Sequence, residues 1–362
     1  MDKMVKRNYL SVFQGKRVMI TGDTGFKGSW LSLWMHMLGA EVLGYALPPL
    51  RDHDHFHLLR LDKLIRHIDG DIRDLSLLNK VCTEFQPEFL FHLAAQPLVR
   101  LSYEEPKLTF DTNIGGSVNV LETVRMTSSL RSVIYVTSDK CYKNKEWVWG
   151  YRESDELGGH DPYSASKAAA EIVFSAYRDS FFIKRPELGI ASVRAGNVIG
   201  GGDWATDRIV PDCIRALQQN QPIILRNPMA TRPWQHVLEP LYGYMLLAVH
   251  LYEKASRFSG SWNFGPNIES NRTVRELSEE IIFNWKQGEI QTSSNENSVH
   301  EANLLQLNCD KVKQLLGWRP NWNFKRTVSE TANWYKELMD GKEAVELTGK
   351  QINMYMGDVN HD

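Results

Sequence analysis

With 362 residues the chain is long enough for about two domains, and its formal net charge of −2 gives no electrostatic reason to expect a nucleic-acid partner. Its 4 cysteines lie far apart and form no Cys-x-x-Cys pair, a pattern typical of a reduced protein rather than of a disulfide framework or a zinc site. The first residues lack the apolar core of a signal peptide, and no apolar run approaches the ~18 residues of a membrane span, so we expect a soluble cytoplasmic protein with no membrane partner.

A glycine-rich turn lies between a short predicted strand and a predicted helix near the start of the chain. Residues 17–20 form the strand, and TGDTGFKG at residues 21–28 follows at once. Apolar residues then recur at helical spacing as far as Leu38. Glycines at positions 22, 25 and 28 would let the backbone approach a pyrophosphate at the N-terminus of this helix. The glycines alone are a weak signal, but their place between strand and helix indicates a dinucleotide-binding unit.

The second predicted strand, residues 42–46, lacks a feature that often sets cofactor choice. In many such folds an acidic residue at its end binds the cofactor ribose, whereas this chain has Ala46, Leu47 and two prolines there. The usual residue therefore does not distinguish NAD from NADP. Asp23, within the glycine turn, would repel the extra phosphate of NADP if its carboxylate faced the ribose, so we expect NAD.

Two later strand ends supply candidate cofactor contacts. The third predicted strand ends in the segment 70–74, where a carboxylate could meet the adenine, and the fourth, residues 89–93, runs into Ala94, Ala95 and Gln96. Small residues there would let a nicotinamide ribose lie close to the backbone, although simple tight packing is an alternative. The His-rich segment 51–57 has no further ligands nearby to complete a metal site, and we interpret it as a polar surface loop.

A fifth predicted strand, residues 132–137, leads directly into Ser138, Asp139 and Lys140. These residues bring a hydroxyl, an acid and an amine to a strand end, where open α/β sheets bind ligands. An Asp-Lys pair after a strand is by itself more often a loop salt bridge. The adjacent Cys141 has no His placed near it in sequence, so we expect it to be a packing residue.

A helix predicted to begin at Pro162 places Tyr163 and Lys167 one turn apart on the same face. A tyrosine hydroxyl has a pKa of ~10. An ammonium group held close would lower this pKa and let the tyrosine phenolate take a proton from a sugar hydroxyl near neutral pH. Tyr-x-x-x-Lys also occurs by chance on solvated helices, but its appearance with Ser138 to Lys140 and the glycine turn favours a catalytic site.

The sequence after the sixth predicted strand, residues 189–194, is rich in loops that carry arginines. Arg208 and Arg232 are examples, and a guanidinium binds phosphate oxygens in a bidentate way. These loops therefore suit a nucleotide diphosphate, although each arginine alone is more often part of a surface salt bridge. The tail after Gly341 is polar and weakly patterned, and we expect it to be mobile.

Several of these stretches carry a family resemblance. TGDTGFKG, YSASK and the closing LLGWRP resemble the extended short-chain dehydrogenase/reductases that act on nucleotide sugars, from about Lys16 to Leu338. The longer stretches GFKGSWLSLW, TSDKCYKNKEWVWGYRE and RPWQHVLEPL are more distinctive, and they are similar to the 4,6-dehydratases that act on CDP-glucose. The resemblance implies an α/β fold with a Rossmann-type doubly wound parallel sheet. It also implies an NAD-binding domain of residues 1–195, a strand returning from residues 230–265, and a smaller α+β nucleotide-sugar domain of residues 196–362.

The activity implied is that of an NAD-dependent lyase that dehydrates CDP-glucose for deoxysugar synthesis, as in surface polysaccharide and O-antigen. Tyr163, helped by Lys167 and Ser138, takes the proton of the sugar 4-hydroxyl while NAD accepts the hydride from C4. Asp139 then protonates the departing C6 hydroxyl, Lys140 removes the C5 proton, and the hydride returns to C6. Many sugar-nucleotide dehydratases have Glu where Lys140 lies, and a lysine must be desolvated or near other cations to act as a base.

The resemblance also implies contacts for cofactor, substrate and partner. The cofactor would be NAD, with no metal, and the pairing of subunits would use helices at 106–126 and 162–182, giving a homodimer or homotetramer. Asp23 stands where the family often has His, which bears on cofactor affinity. The expected contacts are Gly22, Thr24, Gly25, Phe26, Lys27 and Gly28 for the pyrophosphate, Asp71 and Ile72 for the adenine, Ala94, Ala95 and Gln96 for the nicotinamide ribose, Tyr163 and Lys167 beside the nicotinamide, and Asn197, Arg208, Arg232 and His300 for the substrate.

Three other interpretations compete with this one. A dehydratase for UDP-N-acetylglucosamine also has Asp-Lys, so this pair does not determine the substrate. A nucleotide-sugar 4-epimerase needs Tyr163 and Lys167 but no acid and base at Asp139 and Lys140, so these two residues argue against it. A non-catalytic cofactor-binding protein on the same fold typically loses the tyrosine or the lysine, and both are present here.

Overall fold

A parallel β-sheet with helices on both faces forms the larger part of the molecule. The structure is a computed structural model, and it describes residues 9–292 and 304–361. The strands are β1 (Arg17–Thr21), β2 (Glu41–Ala46), β3 (Arg66–Asp69), β4 (Phe89–His92), β5 (Ser132–Val136), β6 (Gly189–Ala195), β7 (Val198–Ile199), β8 (Ile223–Leu225), β9 (Thr231–Pro233), β10 (Gln235–His236), β11 (Gly260–Phe264), β12 (Asn271–Thr273) and β13 (Ile290–Thr292). The helices are α1 (Phe26–Met37), α2 (His55–Leu58), α3 (Leu61–Leu64), α4 (Leu75–Phe85), α5 (Val99–Glu104), α6 (Pro106–Phe110), α7 (Gly116–Met126), α8 (Pro162–Ser180), α9 (Ile209–Gln218), α10 (Leu238–Glu253), α11 (Ala255–Phe258), α12 (Val274–Trp285), α13 (Asp310–Leu315), α14 (Phe324–Met339) and α15 (Ala344–His361).

The large sheet has the strand order β11-β6-β5-β4-β1-β2-β3, with every neighbouring pair parallel. The order reverses between β1 and β4, and ligands of open α/β sheets bind in the crevice at such a reversal. The predicted Rossmann-type doubly wound sheet is therefore confirmed. β11 joins it from within the 230–265 region, while the division into domains at residue 195 stays a prediction.

Alternating residues of the strands build two cores, one on each face of the sheet. Val18 and Ile20 of β1 belong to one apolar cluster, and Met19 between them belongs to the other. The first cluster also contains side chains of α1 and α10, and the second contains side chains of α4, α7 and α8. Because both faces are covered, strands such as β4 and β6 are buried along their whole length.

The second half of the chain adds short paired strands and helices beside the carboxyl ends of the sheet. β7 pairs with β10, β8 with β13, and β9 antiparallel with β12. A capping box begins α12: the Thr273 hydroxyl accepts from the Glu276 amide, and the Glu276 carboxylate accepts from the Thr273 amide. These elements form a small α+β layer. Within the described part of the chain, no helix is both long and apolar enough to cross a membrane.

Two helical predictions differ from the structure. The helix predicted over residues 106–126 is interrupted by a π-helical turn at Asp111–Gly115. Asn113 in this turn exchanges hydrogen bonds with the Gln96 backbone, and this contact holds the wider turn in place. The helix predicted over residues 162–182 ends at Ser180, where a short 3₁₀ turn follows.

Two segments expected at the surface are instead packed. The tail beyond Gly341 forms α15, because Ile352 and Tyr355 are buried against the first core and the Tyr355 hydroxyl donates to Glu239 at 2.7 Å. The segment 51–57 is not simply a polar loop, since the His55 ring is buried with Nδ1 2.8 Å from the Ser29 hydroxyl.

Candidate active site

The glycine turn and the start of α1 form a cradle for an anion. Gly22 has φ +79°, and a Cβ there would lie 2.7 Å from the Ala94 nitrogen. A Cβ on Gly28 would lie 2.0 Å from the Gly22 carbonyl oxygen, so the turn closes only with glycine at both positions. Gly25 precedes α1 and offers no side chain to cap it, so the first amides of this helix are open to a phosphate. The geometry fits a dinucleotide pyrophosphate.

Asp23 faces the sheet and not the open edge of the turn. Its side chain is fully buried, and Oδ2 lies 2.7 Å from Nδ1 of His67 on β3. Gly44 of β2 makes room for it, since a Cβ there would lie 1.9 Å from Oδ2. Burial raises the pKa of Asp23, against the hydrogen bond from His67 that lowers it. The structure therefore gives no support to the argument that Asp23 selects NAD by repelling a ribose phosphate.

The turn after β5 orients the predicted acid. The Ser138 hydroxyl donates to Oδ1 of Asp139 at 2.9 Å, and the Lys140 amide donates to the Ser138 hydroxyl at 3.2 Å. Asp139 is buried, and a Cβ on Gly196 would lie 2.6 Å from its Oδ2. Burial raises the pKa of Asp139, while the Lys140 charge and the Ser138 hydroxyl lower it. A carboxyl whose pKa is raised in this way can carry a proton to a leaving group.

Tyr163 and Lys167 lie in the first turns of α8, where Asp161 caps the helix by accepting from the Ser164 amide at 2.9 Å. Both side chains are buried, and the Lys167 ammonium lies 6.0 Å from the centre of the Tyr163 ring. Burial raises the pKa of Tyr163 to about 12, against the Ser138 hydroxyl that lowers it. The low tyrosine pKa expected from Lys167 is therefore not found.

Several cations converge on the same region. Burial lowers the pKa of Lys167 to about 8. Burial also lowers the pKa of Lys27 to about 8, with the Arg208 and Lys167 charges acting in the same direction and Asp139 against them. Arg208 itself donates to Oδ2 of Asp203 at 2.9 Å. Lys27, expected only at the pyrophosphate, thus also lies in the electrostatic field of Asp139.

The remaining cofactor candidates line the same edge of the sheet, and several side chains are already engaged. The Gln96 side chain donates to the Leu98 carbonyl and the Thr109 hydroxyl, and its backbone exchanges hydrogen bonds with the Asn113 side chain. Asp71, after β3, binds the Arg73 guanidinium through both carboxylate oxygens. Other positions are the Thr24 hydroxyl, which donates to the Leu47 carbonyl, Phe26 at the start of α1, buried Ile72, and partly buried Ala94 and Ala95 after β4.

Of the substrate candidates, Asn197 follows β6 and Arg232 lies on β9. The Asn197 carbonyl accepts from the Gln235 amide at 3.2 Å, and Arg232 donates to the Thr231 carbonyl at 2.8 Å. Arg208 precedes α9 and contributes to the field at Tyr163. His300 lies outside the described residues.

Sequence reasoning missed a buried ionic network beneath the site. Glu171 is fully buried on α8 and accepts from the Arg194 guanidinium at 2.7 Å and from the Ser192 and Thr137 hydroxyls. Burial opposes its ionisation, but the Arg194 charge and the hydrogen bonds hold the pKa of Glu171 below its usual value. Arg194 also donates to the Tyr142 hydroxyl at 2.6 Å. The spacing of Glu171, four residues after Lys167, was the one signal for this network, which joins α8 to both ends of the segment 137–142.

The sequence matches a model of the family described as GDP-mannose 4,6 dehydratase over residues 19–331. The chain belongs to this family. The match includes the glycine turn, the segment after β5, the start of α8 and the loops that carry Arg208 and Arg232. Membership of the GDP-mannose 4,6-dehydratase family agrees with the sheet order and with a Tyr–Lys pair beside a buried acid.

Individual members and solved structures point in the same direction. The chain is 48% identical over 357 residues to the CDP-glucose 4,6-dehydratase of Salmonella typhimurium, covering 98% of this chain and 99% of that protein. A dTDP-glucose 4,6-dehydratase from Streptomyces venezuelae, solved with NAD bound, has a TM-score of 0.76 at 23% identity and covers 91% of this chain and 99% of its own. The UDP-glucose 4-epimerase of Thermus thermophilus, in complex with NAD, has a TM-score of 0.74 at 23% identity and covers 88% and 99%. The last two likenesses establish the fold.

Proposed function

We propose that the chain is an NAD-dependent lyase that removes water from CDP-glucose to give CDP-4-dehydro-6-deoxyglucose, a precursor of deoxysugars. The observation that carries this proposal is the meeting of Tyr163 and Lys167 with the buried acid Asp139 at the end of β5. The extensive similarity to a CDP-glucose 4,6-dehydratase supports cytosine as the nucleobase and glucose as the sugar of the substrate. A 4-epimerase would have no use for a buried, protonatable Asp139.

NAD fits the chain on the evidence of its glycine cradle and the open start of α1. Bound there, NAD would serve as the acceptor of a hydride from C4 of the sugar and later as the donor that returns it to C6. Gly22, Gly25 and Gly28 allow the backbone to approach the pyrophosphate, with Thr24, Phe26 and Lys27 beside it. Ala94 and Ala95 leave room for the ribose next to β4.

In the oxidation step Tyr163 takes the proton of the 4-hydroxyl. Burial raises the pKa of Tyr163 to about 12, so its phenolate must be stabilised when cofactor and nucleotide sugar bind. The Ser138 hydroxyl can donate a hydrogen bond to it once its proton turns away from Asp139, and the cations of Lys167 and Arg208 favour its negative charge. The new ketone at C4 then makes the C5 proton acidic.

In the elimination step Lys140, in its neutral form, takes the C5 proton. The electron pair of the C5–H bond forms the C5–C6 double bond, and the C6–O bond breaks toward oxygen. Asp139 gives its proton to that oxygen, so the group leaves as water. Burial favours the protonated form of Asp139 that this step requires.

A panel of nucleotide sugars tests the proposed activity. The purified protein, supplied with NAD, is incubated with CDP-, UDP-, dTDP- and GDP-glucose and with UDP-N-acetylglucosamine, and products are identified by mass spectrometry. We expect loss of one water from CDP-glucose at the highest kcat/KM. Dehydration of another nucleotide sugar at a higher kcat/KM would overturn the substrate, and a 4-epimer without water loss would overturn the reaction class.

We also propose that the enzyme pairs with a second copy through α8 and the helices α6 and α7. Ile172 of α8 and Phe110 of α6 are exposed, and Ala169 and Ala176 extend the apolar face of α8. Such a face is typical of helix packing between subunits. Ile172→Glu should lower the molar mass measured by light scattering to that of a smaller assembly. Ile224→Glu, which changes an exposed isoleucine on β8, is the matched control. Unchanged mass in both variants would overturn this interface.

The cytoplasm is the location we propose. All 4 cysteines lie in the described residues and are buried free thiols, a state that a reducing compartment maintains.

A further inference from the structure

The hydroxyl of Tyr244 is a buried polar group without a hydrogen-bond partner among the described residues. The side chain is fully buried in the middle of α10, and its ring packs edge-on against Phe264 at a centroid distance of 5.3 Å. Leaving a buried hydroxyl unpaired opposes folding, whereas a phenylalanine would fill the same space without that cost. A functional role would explain why the chain has a tyrosine here.

The direction of α10 aims Tyr244 toward the predicted acid. The Ala248 carbonyl, one turn further along, accepts from the hydroxyl of Ser132, the first residue of β5. The helix begins at the opposite edge, where the Val237 amide donates to the carbonyl of Ile199, the last residue of β7. Helical side chains lean toward the N-terminus of their helix. Tyr244 therefore leans along β5 toward the turn that carries Asp139.

Electrostatics agrees with this direction. Burial raises the pKa of Tyr244, and the charge of Asp139 raises it further. Oδ1 of Asp139 accepts from Ser138, and Oδ2 lies beside Gly196, 2.6 Å from the position that a Cβ on this glycine would take. Gly196 follows Ala195, Ala195 of β6 pairs with Phe264 of β11, and Phe264 packs against the Tyr244 ring, so Oδ2 and Tyr244 lie at the same strand ends.

We propose that Tyr244 is a positioning residue for the elimination step, its hydroxyl donating a hydrogen bond to the Asp139 carboxylate formed when this acid gives up its proton. The proposal deepens the proposed function and rests on it. In that step the Asp139 proton goes to the C6 oxygen, the C6–O bond breaks, and the C5 proton goes to Lys140. A buried carboxylate is left, and a hydrogen bond to a charged group is stronger than one between neutral groups.

The other groups that face Asp139 define what Tyr244 adds. Ser138, Lys140 and Cys141 belong to the same turn after β5 as Asp139, whereas Lys27 comes from α1 and Tyr163 from α8. The Lys140 and Lys27 charges favour the carboxylate, and burial opposes it. Tyr244 is fully buried in the core, so it can act on Asp139 without contacting substrate.

Tyr244→Phe tests the proposal, with Tyr135→Phe as the matched control. Tyr135 is also buried with an unpartnered hydroxyl, and it lies on β5 beside Phe174. Both variants keep their rings, so we expect melting temperatures at or above that of the unmodified chain. We expect Tyr244→Phe alone to lower the rate of water loss by about tenfold to a hundredfold, the effect of one hydrogen bond to a charged group. Reduced cofactor should accumulate in single turnovers because oxidation precedes the affected step.

The pH profile and the infrared spectrum separate this role from a structural one. Removing a donor to the carboxylate raises the pKa of Asp139, so the alkaline limb of the elimination rate should move to higher pH. The carboxyl band of Asp139, identified by Asp139→Asn, should titrate at higher pH in Tyr244→Phe than in Tyr135→Phe. Identical bands and rates in the two variants would overturn the inference. Absence of any CDP-glucose turnover by the unmodified chain would overturn the proposed function instead, while the infrared titration would still test the contact.

Discussion

At the scale of single residues, burial affects the proton chemistry of the candidate site more than the neighbouring charges do. It raises the pKa of Tyr163 to about 12, lowers that of Lys167 to about 8 and raises that of Asp139. Each group is thereby held closer to its neutral form. A dry site of this kind would strengthen every electrostatic contact to a bound nucleotide sugar.

Tyr163→Phe tests the proposed base of the oxidation step. The substitution removes only the hydroxyl, so kcat should fall by roughly 10²–10⁴-fold, the usual contribution of a positioned base. The rate is measured as formation of the 4-keto sugar. Tyr177→Phe on the same helix is the control, because its hydroxyl donates to Glu122 away from the site. A near-normal rate in Tyr163→Phe would reject the assignment.

Lys140→Ala should separate the two halves of the reaction. Oxidation at C4 does not use this residue, but removal of the C5 proton does, so the variant should stop with reduced cofactor bound. The absorbance of the reduced nicotinamide after one addition of CDP-glucose measures this state. Lys143→Ala, three residues further along and exposed, is the control. Full turnover by Lys140→Ala would remove it from the role of base.

The residues that sequence reasoning found and missed differ in how far their partners lie along the chain. Ser138, Asp139, Tyr163 and Lys167 were recognisable because each lies in a short local pattern. The Glu171–Arg194 ion pair and the proposed contact between Asp139 and Tyr244 depend on the packing of α10, α8 and β6, which no local pattern encodes. Asp23 is a case where position suggested a ribose contact, and packing against Gly44 and His67 decided otherwise.

At the scale of elements, the strand, glycine turn and helix at residues 17–37 were predictable because the backbone allows few alternatives. The same holds for α8, which begins with an Asp cap and a proline in its first turn. The π-helical turn at Asp111–Gly115 was not predictable, since it depends on Asn113 meeting Gln96 across 17 residues. The formation of α15 likewise depends on distant contacts, since Tyr355 donates to Glu239 and the Thr348 hydroxyl lies 3.2 Å from Nε2 of His55.

Gly28→Ala should abolish NAD binding. The added Cβ would lie 2.0 Å from the Gly22 carbonyl oxygen, so the turn would have to open. Binding is measured by isothermal titration with NAD. Gly115→Ala is the control: nothing lies within 4 Å of its Cβ position, and alanine favours a helix by up to about 1 kcal/mol. NAD affinity in Gly28→Ala equal to that of the control would contradict the cradle.

At the scale of the whole molecule, buried histidines should make the fold sensitive to acid. Burial lowers the pKa of His55, His92 and His236 to about 3. An unfolded histidine titrates near ~6.5, so between these values the unfolded chain binds more protons than the folded chain. The stability that this provides is present above about pH 6.5 and is lost as the pH falls. Glu239 acts in the opposite direction, because burial raises its pKa to about 7.

The buried carboxyls Asp23 and Asp139, whose pKa values are also raised, act in the same direction as Glu239. We expect the three histidines to outweigh these carboxyls, so the melting temperature should fall as the pH is lowered from about 7 to about 5. Differential scanning calorimetry across this interval measures the slope. Glu239→Gln removes the opposing contribution and should make the decline steeper. A melting temperature that is flat or rises toward acid pH would contradict this assignment of buried neutral histidines.

The central claim is that one site removes a hydride from C4, holds it during loss of water, and returns it to C6. CDP-glucose labelled with deuterium at C4, mixed with unlabelled substrate, tests this claim directly. The account predicts a 4-keto-6-deoxy product with deuterium at C6 of the same molecules that carried it, and no crossover to the unlabelled pool. Deuterium lost to solvent, scrambled between molecules or retained at C4 of an epimer would contradict it.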